Sequence, residues 1–315
     1  MSSPETITYA VPRPERMGDT ARPDYNATIV GIRDTGGGLR VLRVEPDAPI
    51  EGFQAGRYLP MGRGYWEPRF DGLDVEVPEA KRNRIVSRPY SLSSSMISQG
   101  HLHDPGDHRC LEFYIAPVAP PTSEPPAELT PRLFATSAGD RVLLGPRIAG
   151  HYTLDAVGPT DNVVLAGTGT GEAPHNAMVA ELARSGHRGK VTVLSTSRNR
   201  DDFAYLAQHR ELERLWNNYR YFPLSTRQPA DGIKRYVQDI LTVPDPADWL
   251  GFPLDPDRTH VFLCGNPSMV GTAKWEEDSP VFETSGGALE ILHQRGFTLD
   301  RKGAPAGNVH FEEYW

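Results

Sequence analysis

Apolar and polar positions alternate through residues 26–32, pause at Thr35-Gly36-Gly37-Gly38, and alternate again through residues 39–44. A period of two broken by a glycine-rich turn predicts a β-hairpin. Shorter runs at residues 85–91, 111–118 and 141–144 predict further strands. Short strands separated by Gly and Pro, with almost no helical period, indicate a small antiparallel barrel. Two stretches without a period, residues 60–84 and 117–128, are expected to be long loops of the functional kind.

Near residue 155 the pattern changes. Asn162-Val163-Val164-Leu165-Ala166 is an unbroken apolar run that stops at Gly167-Thr168-Gly169-Thr170-Gly171. Helical spacing follows over residues 176–184, with Met178, Val179 and Leu182 in step, and then a second apolar run over residues 190–195. Helices are expected at residues 211–219, 232–241 and 288–294, with strand-like runs at 221–224 and 260–265. Strands alternating with helices imply a parallel sheet of Rossmann type. The predicted fold is therefore two domains, an antiparallel β-barrel followed by an α/β domain.

Composition narrows the classes. The chain has 315 residues, 38% apolar and 23% charged, as an ordinary globular protein does. Gly (30) and Pro (29) are spread along it, which favours many turns over low complexity. The two cysteines, Cys110 and Cys264, are too few for an all-cysteine zinc site or a plant-type iron–sulfur cluster. They also exclude a disulfide framework, so a reducing cytoplasm is the expected compartment. A net charge of −8 argues against general nucleic-acid binding. No apolar run is long enough to cross a membrane, and residues 1–20 lack the apolar core of a signal peptide. His101 and His103 lack a third ligand cluster nearby, so no metal site is expected.

Several motifs carry candidate chemistry. A strand, a Gly-x-Gly-x-Gly turn and a helix form a phosphate cradle, because bare backbone N–H groups approach an anion there. The same turn also serves tight packing alone. Arg88-Pro89-Tyr90-Ser91 reads either as an ordinary strand or as a cofactor strand. In the second reading Arg binds a diphosphate, Tyr stacks on a flat ring and Ser bonds the ring's edge. Cys264 is either a small buried apolar group or a site residue. Lys81-Arg82-Asn83-Arg84 is either a solvated face or a docking face.

Taken in order, these motifs resemble the bacterial type of the ferredoxin–NADP(+) reductase family. Arg88-Pro89-Tyr90-Ser91 is similar to its FAD motif. Leu129-Thr130-Pro131-Arg132-Leu133 with Ala138-Gly139-Asp140-Arg141-Val142 resembles its second FAD segment. Gly167–Gly171 resembles its NADP pyrophosphate loop, Cys264-Gly265-Asn266-Pro267-Ser268-Met269 its late Cys-Gly motif, and Glu312-Glu313-Tyr314-Trp315 the aromatic terminus of some members. The resemblance runs from about residue 25 to the end. It divides the chain into an N-terminal extension (1–24), an FAD-binding barrel (25–155) and an NADP-binding α/β domain (156–315).

The resemblance implies roles. Arg88 would contact the pyrophosphate of a non-covalent FAD, Tyr90 would pack on one flavin face and Ser91 would lie near N5. Leu129 and Thr130 would hold the FAD phosphate. Gly167, Thr168, Gly169, Thr170 and Gly171 would cradle the pyrophosphate of NADP(H). Cys264 would lie near the nicotinamide, and Glu312 near the flavin as a proton-handling group. Tyr314 would cover the other flavin face, with Trp315 beyond it. Ser91, Cys264, Glu312 and Tyr314 are thus the implied catalytic residues. Ser197, Arg198 and Arg227 would bind a 2′-phosphate and Tyr205 would stack on the adenine, with Asp201 and Asp202 a complication. The implied activity is hydride transfer from NADPH to flavin and single-electron exchange, in either direction, with a separate ferredoxin or flavodoxin. Lys81, Arg82 and Arg84 would steer that acidic partner. The alternative is an NAD(P)H-dependent reductase component of an oxygenase.

Some positions depart from the family's pattern. Glu172 follows the last loop glycine, where a carboxylate would repel a pyrophosphate, so it is expected to turn away or pair with a base. His175 replaces an aromatic residue, Arg57 replaces a glutamine, and residues 60–84 are longer than the family's shortest version.

Overall fold

The computed structural model describes residues 25–51, 53–73, 75–98, 100–103, 109–118, 126–277, 279–283 and 285–313. The expected extension 1–24 and the aromatic residues Tyr314 and Trp315 lie outside them.

Six strands close an antiparallel barrel in the order β1-β2-β7-β4-β3-β8. They are β1 (Ala27–Asp34), β2 (Arg40–Pro46), β3 (Tyr58–Gly64), β4 (Ile85–Ser93), β7 (Leu111–Ile115) and β8 (Arg141–Leu144). The expected hairpin is β1–β2, and the alternation of β1 puts Ala27 and Ile29 into the barrel core. A two-strand ribbon of β5 (Ile97–Ser98) and β6 (His101–Leu102) follows β4. The short helix α1 (Thr130–Phe134) closes one end of the barrel, with Leu133 in the core. One expectation is corrected here. Residues 60–64 are not loop but belong to β3, which pairs with both β4 and β8.

The second half holds a five-stranded parallel sheet, order β11-β10-β9-β12-β15. Its strands are β9 (Asn162–Thr168), β10 (Val191–Ser197), β11 (Tyr219–Ser225), β12 (Thr259–Gly265) and β15 (Val309–Glu313). Val163, Val164, Leu165 and Ala166 are all buried, as a strand covered on both faces requires. The helices are α2 (Glu172–Arg184), α3 (Leu206–Leu215), α4 (Val237–Thr242), α5 (Ala247–Leu250), α6 (Pro267–Val270) and α7 (Ala288–Gln294). A hairpin of β13 (Ala273–Glu276) and β14 (Ser279–Phe282) precedes α7. The helix expected at 211–219 starts and stops earlier, at Leu206 and Leu215, and Tyr219 already begins β11. The helix expected at 232–241 is confined to α4.

The chain leaves the barrel after β8 and enters the sheet at β9, so the expected boundary at 155/156 falls in that connection. The two halves share buried surface. Val41, Ala55, Met96 and Tyr114 of the first half pack in one cluster with Val163, Met178 and Tyr205 of the second. No helix among the described residues is long and apolar enough to cross a membrane.

Candidate functional site

In an open parallel sheet, ligands bind beyond the carboxyl ends of the strands where the strand order reverses. Here that point lies between β12 and the Gly-rich end of β9. The loop after β9, the Cys264-Gly265 end of β12 and the Glu312-Glu313 end of β15 lie side by side. Cys264 pairs in register with Gly167 on one side and with Glu312 on the other.

Two glycines make this edge possible. A Cβ on Gly171 would collide with the Cys264 carbonyl. Gly265 has φ +124°, and a Cβ there would strike the Thr168 hydroxyl. The Thr168 Oγ1 accepts a hydrogen bond from the Asn266 N–H at 2.7 Å, which locks the two loop ends together. Thr168 therefore braces the loop. Gly169, at φ +55°, has open space where a side chain would stand. A bare, outward-facing turn of this kind fits a diphosphate. The Cys264 side chain is wholly buried, in the same core cluster as Ala173 and Phe262. Of the two expected readings of Cys264, the small buried group is the one this conformation fits, since its sulfur is not exposed at the sheet edge.

The barrel contributes β4. A strand's period of two puts Arg88 and Tyr90 on one face. Both reach the segment before and at the start of α1. An Arg88 Nη2 lies 3.3 Å from Glu128 Oε2, and the Tyr90 hydroxyl lies 3.2 Å from Thr130 Oγ1. Arg88 is exposed and Tyr90 half-buried, with its ring against the barrel core. Leu129 is buried in that core, so only its backbone faces the site. Ser91 is buried and hydrogen-bonds the Glu312 carboxyl. Burial pushes the Glu312 carboxyl up to about 7, against the opposing pull of the Ser91 hydrogen bond. Ser91 and Glu312 thus meet across the two halves. An exposed cation, a half-buried aromatic ring, a hydroxyl pair and a nearly neutral carboxyl fit the donor set expected for a flavin dinucleotide.

The carboxyl ends of β10 and β11 and the turns after them carry the expected 2′-phosphate residues. The Arg227 N–H donates to the Arg198 carbonyl at 2.9 Å, and the Thr226 N–H to the Ser197 carbonyl at 2.9 Å. Both arginines are exposed. The Ser197 hydroxyl donates to Asp202 at 3.0 Å, and Asp202 also accepts from the Asn199 N–H at 2.9 Å. Asp202 is therefore consumed in its own turn, while Asp201 stays exposed. Tyr205 is a correction. It is 1% exposed, and its hydroxyl bonds Ser93 and Glu112 of the barrel at 3.1 Å each. It braces the two halves and cannot stack on an adenine.

The partners of three residues were not assigned from the sequence. Glu172 does turn away from the loop: it is 1% exposed, 2.9 Å from His209 Nε2, and accepts from the Tyr221 hydroxyl at 2.9 Å. His175 is buried with Nε2 2.8 Å from the Tyr152 hydroxyl, and burial drops its ring to about 3. Lys81 lies 2.9 Å from Glu128, beside Arg88. Spacing carries no signal for any of these, because each partner is distant in sequence.

Comparison with known proteins agrees with this geometry. The family described as "Oxidoreductase NAD-binding domain" matches residues 165–274. The chain is 28% identical over 226 residues to the Flavodoxin/ferredoxin--NADP reductase of Escherichia coli K12, covering 71% of this chain and 78% of that one. It is 24% identical to the Phenol hydroxylase P5 protein of Acinetobacter pittii, covering 82% of this chain and 63% of that one. A ferredoxin NADP+ reductase from Neisseria gonorrhoeae, solved with bound FAD and NADP, superposes with a TM-score of 0.66 at 17% identity. That match covers 92% of this chain and 98% of the solved one.

Proposed function

We propose that the chain is a member of the ferredoxin–NADP(+) reductase family, an FAD-dependent enzyme linking NADP(H) to a separate one-electron carrier, a ferredoxin or flavodoxin. The flavin supplies the two-electron to one-electron conversion that no side chain can perform. The observation that carries this reading is the Ser91–Glu312 contact. It brings the barrel strand bearing Arg88 and Tyr90 to the carboxyl edge of the sheet, beside the Gly167–Gly171 turn.

The residues divide the work. Arg88 and Thr130 hold the FAD phosphates, and Tyr90 supports one flavin face. The Ser91 hydroxyl stands at the flavin edge and hydrogen-bonds Glu312. With its carboxyl near 7, Glu312 holds or releases a proton within the working pH range. The turn Gly167–Gly171 receives the NADP(H) pyrophosphate. Ser197, Arg198 and Arg227 receive the 2′-phosphate, Arg198 and Arg227 as exposed guanidinium groups and Ser197 through its backbone turn. Tyr314, next in sequence after Glu313, covers the flavin face where nicotinamide enters, with Trp315 beside it. Arg82 and Arg84 are exposed on the segment leading into β4 and form the steering face for an acidic carrier. Lys81, expected to share that task, is half-exposed and paired with Glu128. Cys110 and Cys264 are not joined in a disulfide, which suits a reducing cytoplasm.

Two experiments test the reading. Chromatography of the flavin released on denaturation is expected to give FAD, and FMN or no flavin refutes it. Steady-state kinetics with NADPH and NADH against ferredoxin, flavodoxin and oxygen are expected to favour NADPH and the two carriers. Preference for NADH with no carrier reduction favours the oxygenase-component reading, which the likeness to the phenol hydroxylase protein supports.

A further inference from the structure

The segment between β3 and β4 is strapped onto the start of α1 by contacts that place a second cation beside Arg88. The Phe70 N–H donates to the Pro131 carbonyl at 2.9 Å and Arg69 Nη1 to the Ala127 carbonyl at 2.9 Å. From the other side, the buried Arg132 donates to the Tyr65 carbonyl at 3.0 Å. A 3-10 turn over Glu79–Lys81 then delivers Lys81, whose ammonium sits 5.5 Å from the centre of the Tyr65 ring. Its Nζ lies 2.9 Å from Glu128 Oε1, while Arg88 Nη2 lies 3.3 Å from Glu128 Oε2. One carboxylate therefore bridges both cations, one oxygen to each.

The bridge contributes little to folding. The side chains of Lys81, Arg88 and Glu128 are 47%, 59% and 33% exposed, and ion pairs at such exposure are worth about 0–1 kcal/mol. What the bridge does is converge an ammonium and a guanidinium on one small anion. Two oxygens of a phosphate are spaced much like the two oxygens of a carboxylate. A phosphate can therefore take the place of Glu128 between the same two cations.

We propose that Lys81 is a second ligand for the FAD diphosphate alongside Arg88, and that Glu128 is an internal anion that holds both cations and competes with the phosphate for them. The proposal rests on the FAD reading above and adds residues from the long segment to it. Lys81 contributes charge and N–H donation to phosphate, and nothing to the isoalloxazine ring. Glu128 keeps the cations converged before the cofactor arrives and opposes it by repulsion once it is there.

The test is equilibrium binding, read by flavin fluorescence as FAD or riboflavin is titrated into flavin-free protein. Wild-type protein is expected to bind FAD. Lys81→Ala is expected to weaken FAD binding roughly tenfold, the loss of one charged hydrogen bond, and Lys81→Arg to restore most of it. Riboflavin, which has no phosphate, is expected to bind Lys81→Ala and wild type equally. Glu128→Gln is expected to bind FAD more tightly than wild type. An unchanged FAD affinity in Lys81→Ala, or an equal loss for riboflavin, overturns the role of Lys81 while leaving the FAD reading intact. Weaker FAD binding by Glu128→Gln overturns the competition. If wild-type protein binds no FAD at all, the functional reading falls and this proposal falls with it.

Discussion

Glu312→Gln removes an ionisable group placed between the barrel strand and the sheet edge. The carboxyl is raised from 4.5 to about 7 because burial penalises its charged form more than the Ser91 hydrogen bond favours it. That difference corresponds to about 3 kcal/mol at 1.36 kcal/mol per unit. The folded state holds the proton that the unfolded state has lost between these two values. The favourable contribution is therefore complete below pH 4.5 and lost as pH rises through about 7. Glutamine keeps the shape and cannot ionise. Its stability relative to wild type should be flat below pH 4.5 and should climb by up to about 3 kcal/mol towards pH 8, measured by urea denaturation at each pH. The same proton should appear in function. Stopped-flow reduction by NADPH is expected to show an inflection at or above pH 7 in wild type and none in Glu312→Gln, since a bound flavin buries the carboxyl further. Ser91→Ala should move the inflection upward by removing the bond that favours the charged form. Parallel stability curves for wild type and Glu312→Gln between pH 4.5 and 8, or an inflection that survives in the glutamine variant, would refute the reasoning.

Arg198→Ala is expected to raise KM for NADPH roughly tenfold or more, the cost of about 1.5–3 kcal/mol for a charged contact, with little change for NADH; equal effects on both nucleotides would remove Arg198 from the 2′-phosphate site. Reversing Arg82 and Arg84 to Glu is expected to slow ferredoxin-dependent turnover most at low salt, where the screening length is about 10 Å or more, and to leave reduction of a small neutral dye unchanged. A parallel fall of both activities would make the pair structural. Deleting Tyr314 and Trp315 is expected to tighten NADP(+) binding and to relax discrimination against NADH, and unchanged titrations of both nucleotides would count against a covering role.

The elements legible in the sequence are those whose signal is local. Val163 to Ala166 announce β9 because both faces of the strand are buried, and the glycines after it announce a backbone turn. The hairpin β1–β2 reads directly from its alternation and its Gly36–Gly38 turn. β3 was hidden because Pro60, Gly62 and Gly64 are all poor strand formers. The structure tolerates Pro60 by setting it opposite Pro89 of β4, where neither leaves an N–H to be paired. α3 was displaced because Asn217-Asn218 does not punctuate strongly enough to separate the helix from Tyr219, the first residue of β11. In the site, the carriers of chemistry were legible as residue types, but their partners were not. Tyr205 follows the arginine cluster and reads as an adenine support, yet the barrel residues that claim it are 93 and 112 positions away.

The strand that resolves these distances is β4, and it explains why the site needs both halves. Arg88 and Tyr90 reach Glu128 and Thr130 at the barrel's end. Ser91 meets Glu312 at the sheet's edge. Two residues on, Ser93 bonds the Tyr205 hydroxyl and accepts from Asn176 of α2 at 3.4 Å. The contacts to Glu128 and Thr130, the contact to Glu312 and the brace between the halves are therefore set by one register. Because side chains alternate, a slip of one residue in β4 would send Ser91 to the face of Arg88 and Tyr90 and break all three contacts together. Tyr205 thus acts on the site from a distance: by fixing Ser93 it fixes Ser91, and with it the position of the hydroxyl that bonds Glu312.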